Sequence, residues 1–233
     1  MAMNLGELEA TLDLNVQDSS LRSHYASWLN TAILELAAAY ELPALRTTTP
    51  ASIICTTAAW LFSLPANFLK LIPGKKGFSG CADSDYNQIR IYRTLEYLDR
   101  LDMDHSDIGD HVTMVAVTDT QIGIYPRANE TIYLWYYKKP TLLTKASDIP
   151  ICIPEAYHAR VIIPKVTLKA YEHLQDQVEN FDPKGLQYWQ GKLAAGLRGS
   201  PVDGPGLVQH LSKIQGGSRR TGGRDPVGIR YYG

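Results

Sequence analysis

Between Glu130 and Lys138 an extended chain places Ile132, Leu134 and Tyr136 on one face and Tyr133, Trp135 and Tyr137 on the other. A strand half exposed to water alternates apolar with polar side chains. Here both faces are apolar or aromatic, so both require cover, from a second layer of the same chain or from a neighbouring subunit. With 233 residues the chain can supply one sizeable core, or a compact domain with an elaborated insert.

Period-two alternation and turn chemistry predict further strands at 52–57, 60–63, 68–72, 88–92, 111–117 and 121–125. Pro73-Gly74 with Gly77, Thr118-Asp119-Thr120 and the run Pro126 to Asn129 punctuate them. The short loops between successive strands predict an antiparallel meander. Thr94 to Leu101 reads as a small helix with Leu95, Leu98 and Leu101 on one side. Ala51 to Leu69 is 19 residues without a charge, but Pro65, its hydroxyls and its β-branched residues suit buried strands better than a membrane span.

Helical spacing flanks this region. Leu21, Tyr25, Trp28, Leu29, Ala32, Ile33, Leu36 and Tyr40 form one face, with Asp18, Ser19 and Ser20 as candidate caps and Pro43 closing the far end. After Pro154, an apolar stripe runs through Tyr157, Val161, Pro164, Leu168, Tyr171 and Val178. Pro164 cannot donate to the Arg160 carbonyl and should kink or restart that helix. A further helix opens at Asp182-Pro183, turns Leu186, Trp189, Leu193 and Leu197 inward, and stops at Gly199. The expected class is α+β: a helical bundle from residues 1–45 and 150–199, an inserted antiparallel β-rich domain at 46–149, and a flexible basic arm at 200–233.

Charge is distributed unevenly around a net of −1. Residues 1–45 carry six acids against Arg22 alone, whereas 200–233 carry five bases against Asp203 and Asp225. Copies of the chain, or a partner, could meet through these opposite ends. The arm is rich in glycine and has too little apolar area to order alone, yet it ends in the adhesive run Val227 to Tyr232. The N-terminus lacks the basic start and apolar run of a signal peptide, and Cys55, Cys81 and Cys152 form no CxxC pair, so a reducing cytoplasm fits best.

The motifs that could carry chemistry fail on spacing. In Gly77-Phe78-Ser79-Gly80-Cys81 the serine is followed directly by glycine, where a nucleophile elbow needs it one position later. Pro73 to Gly77, with its two lysines, lacks the Walker pattern. Asp99, Asp102, Asp104, Asp107 and Asp110 are dense, but an EF-hand read from Asp102 puts Asp107 where glycine is required. The histidines at 24, 105, 111, 158, 173 and 210 show no ligand spacing. The expectation is a protein that is not an enzyme, with no catalytic residues, no cofactor and no metal.

In order along the chain, Trp28-Leu29-Asn30, the run Phe62 to Phe68, Ile122-Gly123-Ile124-Tyr125-Pro126, Leu134 to Pro140, and the stretch from Leu142 to His158 form a pattern. It resembles that of the head-to-tail adaptor (connector, head-completion) proteins of tailed bacteriophages, over roughly residues 5–199. Asn67 and Phe62 stand where that family usually has Asp and Tyr. The resemblance implies a structural virion protein at the head-tail junction, made in the host bacterial cytoplasm. It would form a homo-dodecameric ring of identical subunits beneath the portal protein, extend the DNA channel, and offer a platform to tail or nozzle proteins. Packaged DNA would pass without sequence-specific binding, and no membrane is implied. Related adaptors embrace the portal with their C-terminal segment. That makes Arg219, Arg220, Arg224 and Arg230 candidates to pair with acidic portal surface, with Ile229, Tyr231 and Tyr232 as anchors. A tail-tube or neck protein of the same virion is the alternative reading. From another class, a small cytoplasmic enzyme or a nucleic-acid-binding protein stays open.

Overall fold

The computed structural model describes residues 2–72, 80–92, 94–175 and 183–215. Within them the chain mixes α and β, with six helices and several small sheets.

The first helix, α1 (Leu5–Val16), is not among the elements expected from the sequence. Its start is closed by a reciprocal cap. The Glu7 N–H donates to Asn4 Oδ1 at 2.9 Å, and the Asn4 N–H donates to Glu7 Oε2 at 3.0 Å. This satisfies donors that a helix start leaves free. Leu5, Leu8, Leu12 and Val16 form its buried stripe. Beyond it, Asp18 accepts from the N–H and hydroxyl of Ser20, and Arg22 reaches back to Asp13 with Nε 2.7 Å from Oδ1. That guanidinium holds the Asp13 carboxyl below its ordinary range. The next helix, α2 (Arg22–Ala39), buries Tyr25, Leu29, Ala32, Ile33, Leu36 and Ala37, the face its spacing predicts, with Trp28 and Tyr40 at the half-buried margin.

The strands are β1 (Ala51–Ile54), β2 (Leu61–Ser63), β3 (Phe68–Leu71), β4 (Cys81–Ala82) and β5 (Arg90–Tyr92). After the short helix α3 (Leu95–Leu101) come β6 (Met114–Val117), β7 (Gln121–Tyr125), β8 (Thr131–Leu134) and β9 (Tyr136–Lys138). Their pairing corrects the expected meander. The sheet orders are β1-β8-β4, β2-β7-β6-β5 and β3-β9, so β1, β2 and β3 pair with late strands instead of with one another. The pair β5–β6 is parallel, not antiparallel. A parallel pair needs a crossover that returns the chain to the same end, and the segment carrying α3 provides it. Sequence alternation fixes which side chains share a face but not which strand lies alongside.

Chain entry into the next helix is irregular. Residues Glu155–Tyr157 form a 3₁₀ turn and His158–Ile162 a π turn, in which the Ile163 N–H donates to the His158 carbonyl. The helix α4 (Ile163–Gln175) follows. Pro164 has no N–H to give, so the wider i→i+5 register absorbs the missing bond where a kink or restart is expected. His158 itself is buried. Its Nδ1 accepts the Met3 N–H at 3.1 Å, and its Nε2–H donates to the Ile153 carbonyl at 2.9 Å, tying the N-terminal strap to this turn.

The remaining elements are α5 (Pro183–Arg198), a two-residue hairpin of β10 (Gly199–Ser200) and β11 (Gly204–Pro205), and α6 (Leu207–Gln215). The arm expected from residue 200 is therefore, as far as Gln215, a hairpin and a helix. Leu207 and Leu211 are buried in the same core as α1, α2 and α4. Nine residues make a marginal helix in isolation, so α6 owes its order to docking on α5.

Two hydrophobic cores result. One gathers α1, α2, α4 and α6 with the inner residues of α5, and the other gathers the strands. They meet at β9, where Tyr136 enters the strand core and Tyr137 the helical core. The predicted two-faced strand is thus two strands, β8 and β9, in different sheets; Tyr136 and Tyr137 are covered on opposite faces, while Tyr133 and Trp135 stay half-buried.

Candidate functional site

Two surface features are built with more precision than a solvated face needs. The first is the loop after α3. The Asp102 carboxylate accepts the Asp107 N–H at 2.7 Å, folding the loop back on itself. Asp107 Oδ2 accepts the Tyr125 hydroxyl at 2.9 Å, and Arg127 Nη2 donates to the Ser106 carbonyl at 3.0 Å. His105 stacks on Trp60 with ring centroids 3.6 Å apart, its Nε2 lying 3.1 Å from Asp99. These contacts fix the loop to Trp60, just before β2, and to the end of β7. They also account for Asp102 and Asp107, whose oxygens are engaged by N–H and O–H donors. On the loop so held, Met103 is 85% exposed and Ile108 64% exposed, beside the exposed carboxylates of Asp104 and Asp110.

The backbone N–H of Asp107 is the main cause that holds the Asp102 carboxyl below its ordinary value of 3.8. A depressed carboxyl contributes order that is present above the unfolded-state value and lost as pH falls through the folded one. The loop should therefore loosen only below pH 3.8, seen as a change in Trp60 emission as His105 unstacks. Asp102→Asn should shift or abolish that step. An unchanged acid profile in the variant would remove Asp102 as its cause.

The second feature is a cleft of about 280 Å³ between α1, the π turn and α5. Arg160, Pro164, Tyr188, Trp189, Lys192 and Asp203 are among its lining residues. It exists because α5 comes close to the π turn at Gly196, where a Cβ would lie 2.0 Å from the Arg160 carbonyl oxygen. The Arg160 guanidinium lies 5.7 Å from the Tyr157 ring centroid and donates from Nη1 to the Pro205 carbonyl at 3.5 Å. Its Nη2 is buried without a hydrogen-bond partner among the described residues. Lys192 Nζ sits 5.6 Å from the Tyr188 ring centroid, and Tyr188 is exposed. Helix α5 carries Lys184, Lys192 and Arg198 and no carboxylate. A cationic rim over aromatic faces can receive an acidic segment that also carries an apolar side chain.

Cys55, Cys81 and Cys152 are buried as thiols. Burial pushes the first two thiols up to about 12 and the third to about 11. Protonated and shielded, they are poor nucleophiles and poor metal ligands. The residues singled out for portal binding, Arg219, Arg220, Arg224, Ile229, Arg230, Tyr231 and Tyr232, lie outside the described residues, as do Pro73 to Ser79. Sequence alone reads the aspartates of the 99–110 loop as a solvated cluster and does not reveal the cleft. The cleft's sequence signal is that α5 carries Tyr188 and Lys192 and no acid; Trp189, expected to face inward, lines the cleft.

A family model described as SU10 adaptor protein matches residues 3–209 of the chain, spanning both cores and both surface features. No curated protein matches the chain.

Proposed function

The chain belongs to the SU10 adaptor protein family, and from that premise we propose that it is the head-to-tail adaptor of a bacteriophage virion, a structural protein and not an enzyme. In this reading copies form a ring beneath the portal, extend the channel through which DNA passes, and give tail or nozzle proteins their attachment platform. The helical core is the bundle of such an adaptor and the strand core its inserted domain. The observation that carries this is the family match from residue 3 to residue 209; residues 210–233 follow it. That segment holds Arg219, Arg220, Arg224 and Arg230 with Ile229, Tyr231 and Tyr232, and in this reading it clasps acidic portal surface.

Co-sedimentation with purified portal rings tests both parts. The full chain should bind stoichiometrically, and a chain ending at Gln215 should lose that binding. The cut belongs there because an earlier one would remove Leu207 and Leu211 from the core. Equal binding by both chains would keep the adaptor and discard the clasp. Binding by neither, at low and moderate salt, would discard the adaptor in favour of a neck or tail-tube role.

A further inference from the structure

We propose that the acidic loop after α3 of one copy docks into the cationic, aromatic cleft of a second copy, Met103 entering between Tyr188 and Trp189 with Asp104 facing Lys192 and Arg160. The inference rests on the ring reading and deepens it, because it names the contact that would join neighbouring subunits.

Each half is incomplete alone and complements the other. The loop is held rigid by Asp102, the Asp107–Tyr125 bond and the His105–Trp60 stack, so little ordering entropy is lost on docking. What it presents is apolar at Met103 and Ile108 and negative at Asp104 and Asp110. The cleft offers a contrast: aromatic walls and the Lys192 and Arg160 cations, which outnumber the Asp203 carboxylate on its lining, itself already bonded by the Ser200 hydroxyl. A carboxylate set between an ammonium and a guanidinium makes charge-assisted hydrogen bonds, which are stronger than neutral ones. A methionine side chain is flexible and polarisable, suited to an irregular aromatic space. The loop sits on the strand core through α3, β6 and β7, whereas the cleft belongs to the helical core. A contact between two different surfaces of identical chains is heterologous, and such contacts propagate into rings when the rotation closes.

Two full-length variants make the test sharp. One disables the loop (Met103→Ser with Asp104→Lys) and the other disables the cleft (Lys192→Glu). Met103, Asp104 and Lys192 are exposed, so circular dichroism and melting should be unchanged. Sedimentation velocity should show the wild-type chain self-associating and each variant weakened by about tenfold or more. An equimolar mixture of the two variants retains one intact loop and one intact cleft, and should form a dimer that neither makes alone. Variants that assemble like wild type, or a mixture that stays monomeric, would overturn the contact. Portal co-sedimentation of the same proteins then reports on the adaptor reading separately. A cleft variant that self-associates normally but no longer binds portal would assign the cleft to the portal and overturn the proposal.

Discussion

Tyr137→Ala is expected to lower the folding free energy by about 3–5 kcal/mol, the range for removing a buried aromatic ring from a core. The ring is 3% exposed and lies in the helical core, while its neighbour Tyr136 fills the strand core from the other face of β9. Lys70 Nζ stands 5.5 Å from its centroid, and its hydroxyl donates to Glu41 Oε2 at 3.3 Å. Truncation leaves a cavity on the helical side of the seam and strips Glu41 of that donor. Urea unfolding followed by circular dichroism and by tryptophan emission measures the loss. A loss under about 1 kcal/mol would mean that the ring is not a packing element of this core. Tyr137→Phe keeps the ring and isolates the hydroxyl. Burial, with Glu41 adding to it, pushes the phenol from 10.0 up to about 12. A group whose folded value is raised contributes stability that is full below the unfolded value and lost as pH rises through the folded one. Alkaline destabilisation between pH 10.0 and about 12 should therefore be smaller in Tyr137→Phe than in the native protein.

A second large effect is expected at Gly196, with a sign opposite to helix propensity. Glycine to alanine inside a helix ordinarily stabilises by about 0.5–1 kcal/mol. At Gly196 the added Cβ would stand 2.0 Å from the Arg160 carbonyl oxygen and 2.8 Å from its carbon, which are backbone atoms of the π turn and cannot rotate aside. Helix α5 must move outward, and Gly196→Ala should cost about 1–3 kcal/mol net, as overpacking does. A Cβ added at Gly191, on the same helix, would meet nothing within 4 Å among the described residues. Gly191→Ala should show the ordinary gain. Melting temperatures of the two variants decide the matter, and a stabilised Gly196→Ala would show that α5 does not press on the π turn. Because the cleft lies along the same contact, Gly196→Ala should also weaken any association that uses it.

How much of this is legible in the sequence depends on the range of the interactions involved. The face of α2 is readable because its buried residues recur with the period of the helix itself. The stretch from Glu130 to Lys138 is readable as two-faced because its side chains alternate with the period of a strand, although its demand for cover does not say what will cover it. The capping box Asn4–Glu7 and the Leu5, Leu8, Leu12 and Val16 spacing are present in the sequence and identify α1, but the acids among them make the segment stand out first by its charge. The helix α6 is hidden by its neighbours, since glycine and proline on both sides dominate the composition of a short amphipathic run.

The sequence by itself determined the types of most elements, the both-faced strand that becomes the seam, and the ordered motifs that point to the adaptor family. Tertiary structure alone decided that β5 and β6 run parallel, that β1 to β3 pair with late strands, and that Tyr136 and Tyr137 part into different cores. It also decided that Thr11, Arg160 and Lys192, far apart along the chain, border one cleft. Periodicity is a property of neighbouring residues and is written locally. Strand partners and clefts depend on which distant surfaces bury the most apolar area together without leaving backbone donors unpaired, and that balance exists only once the chain has folded.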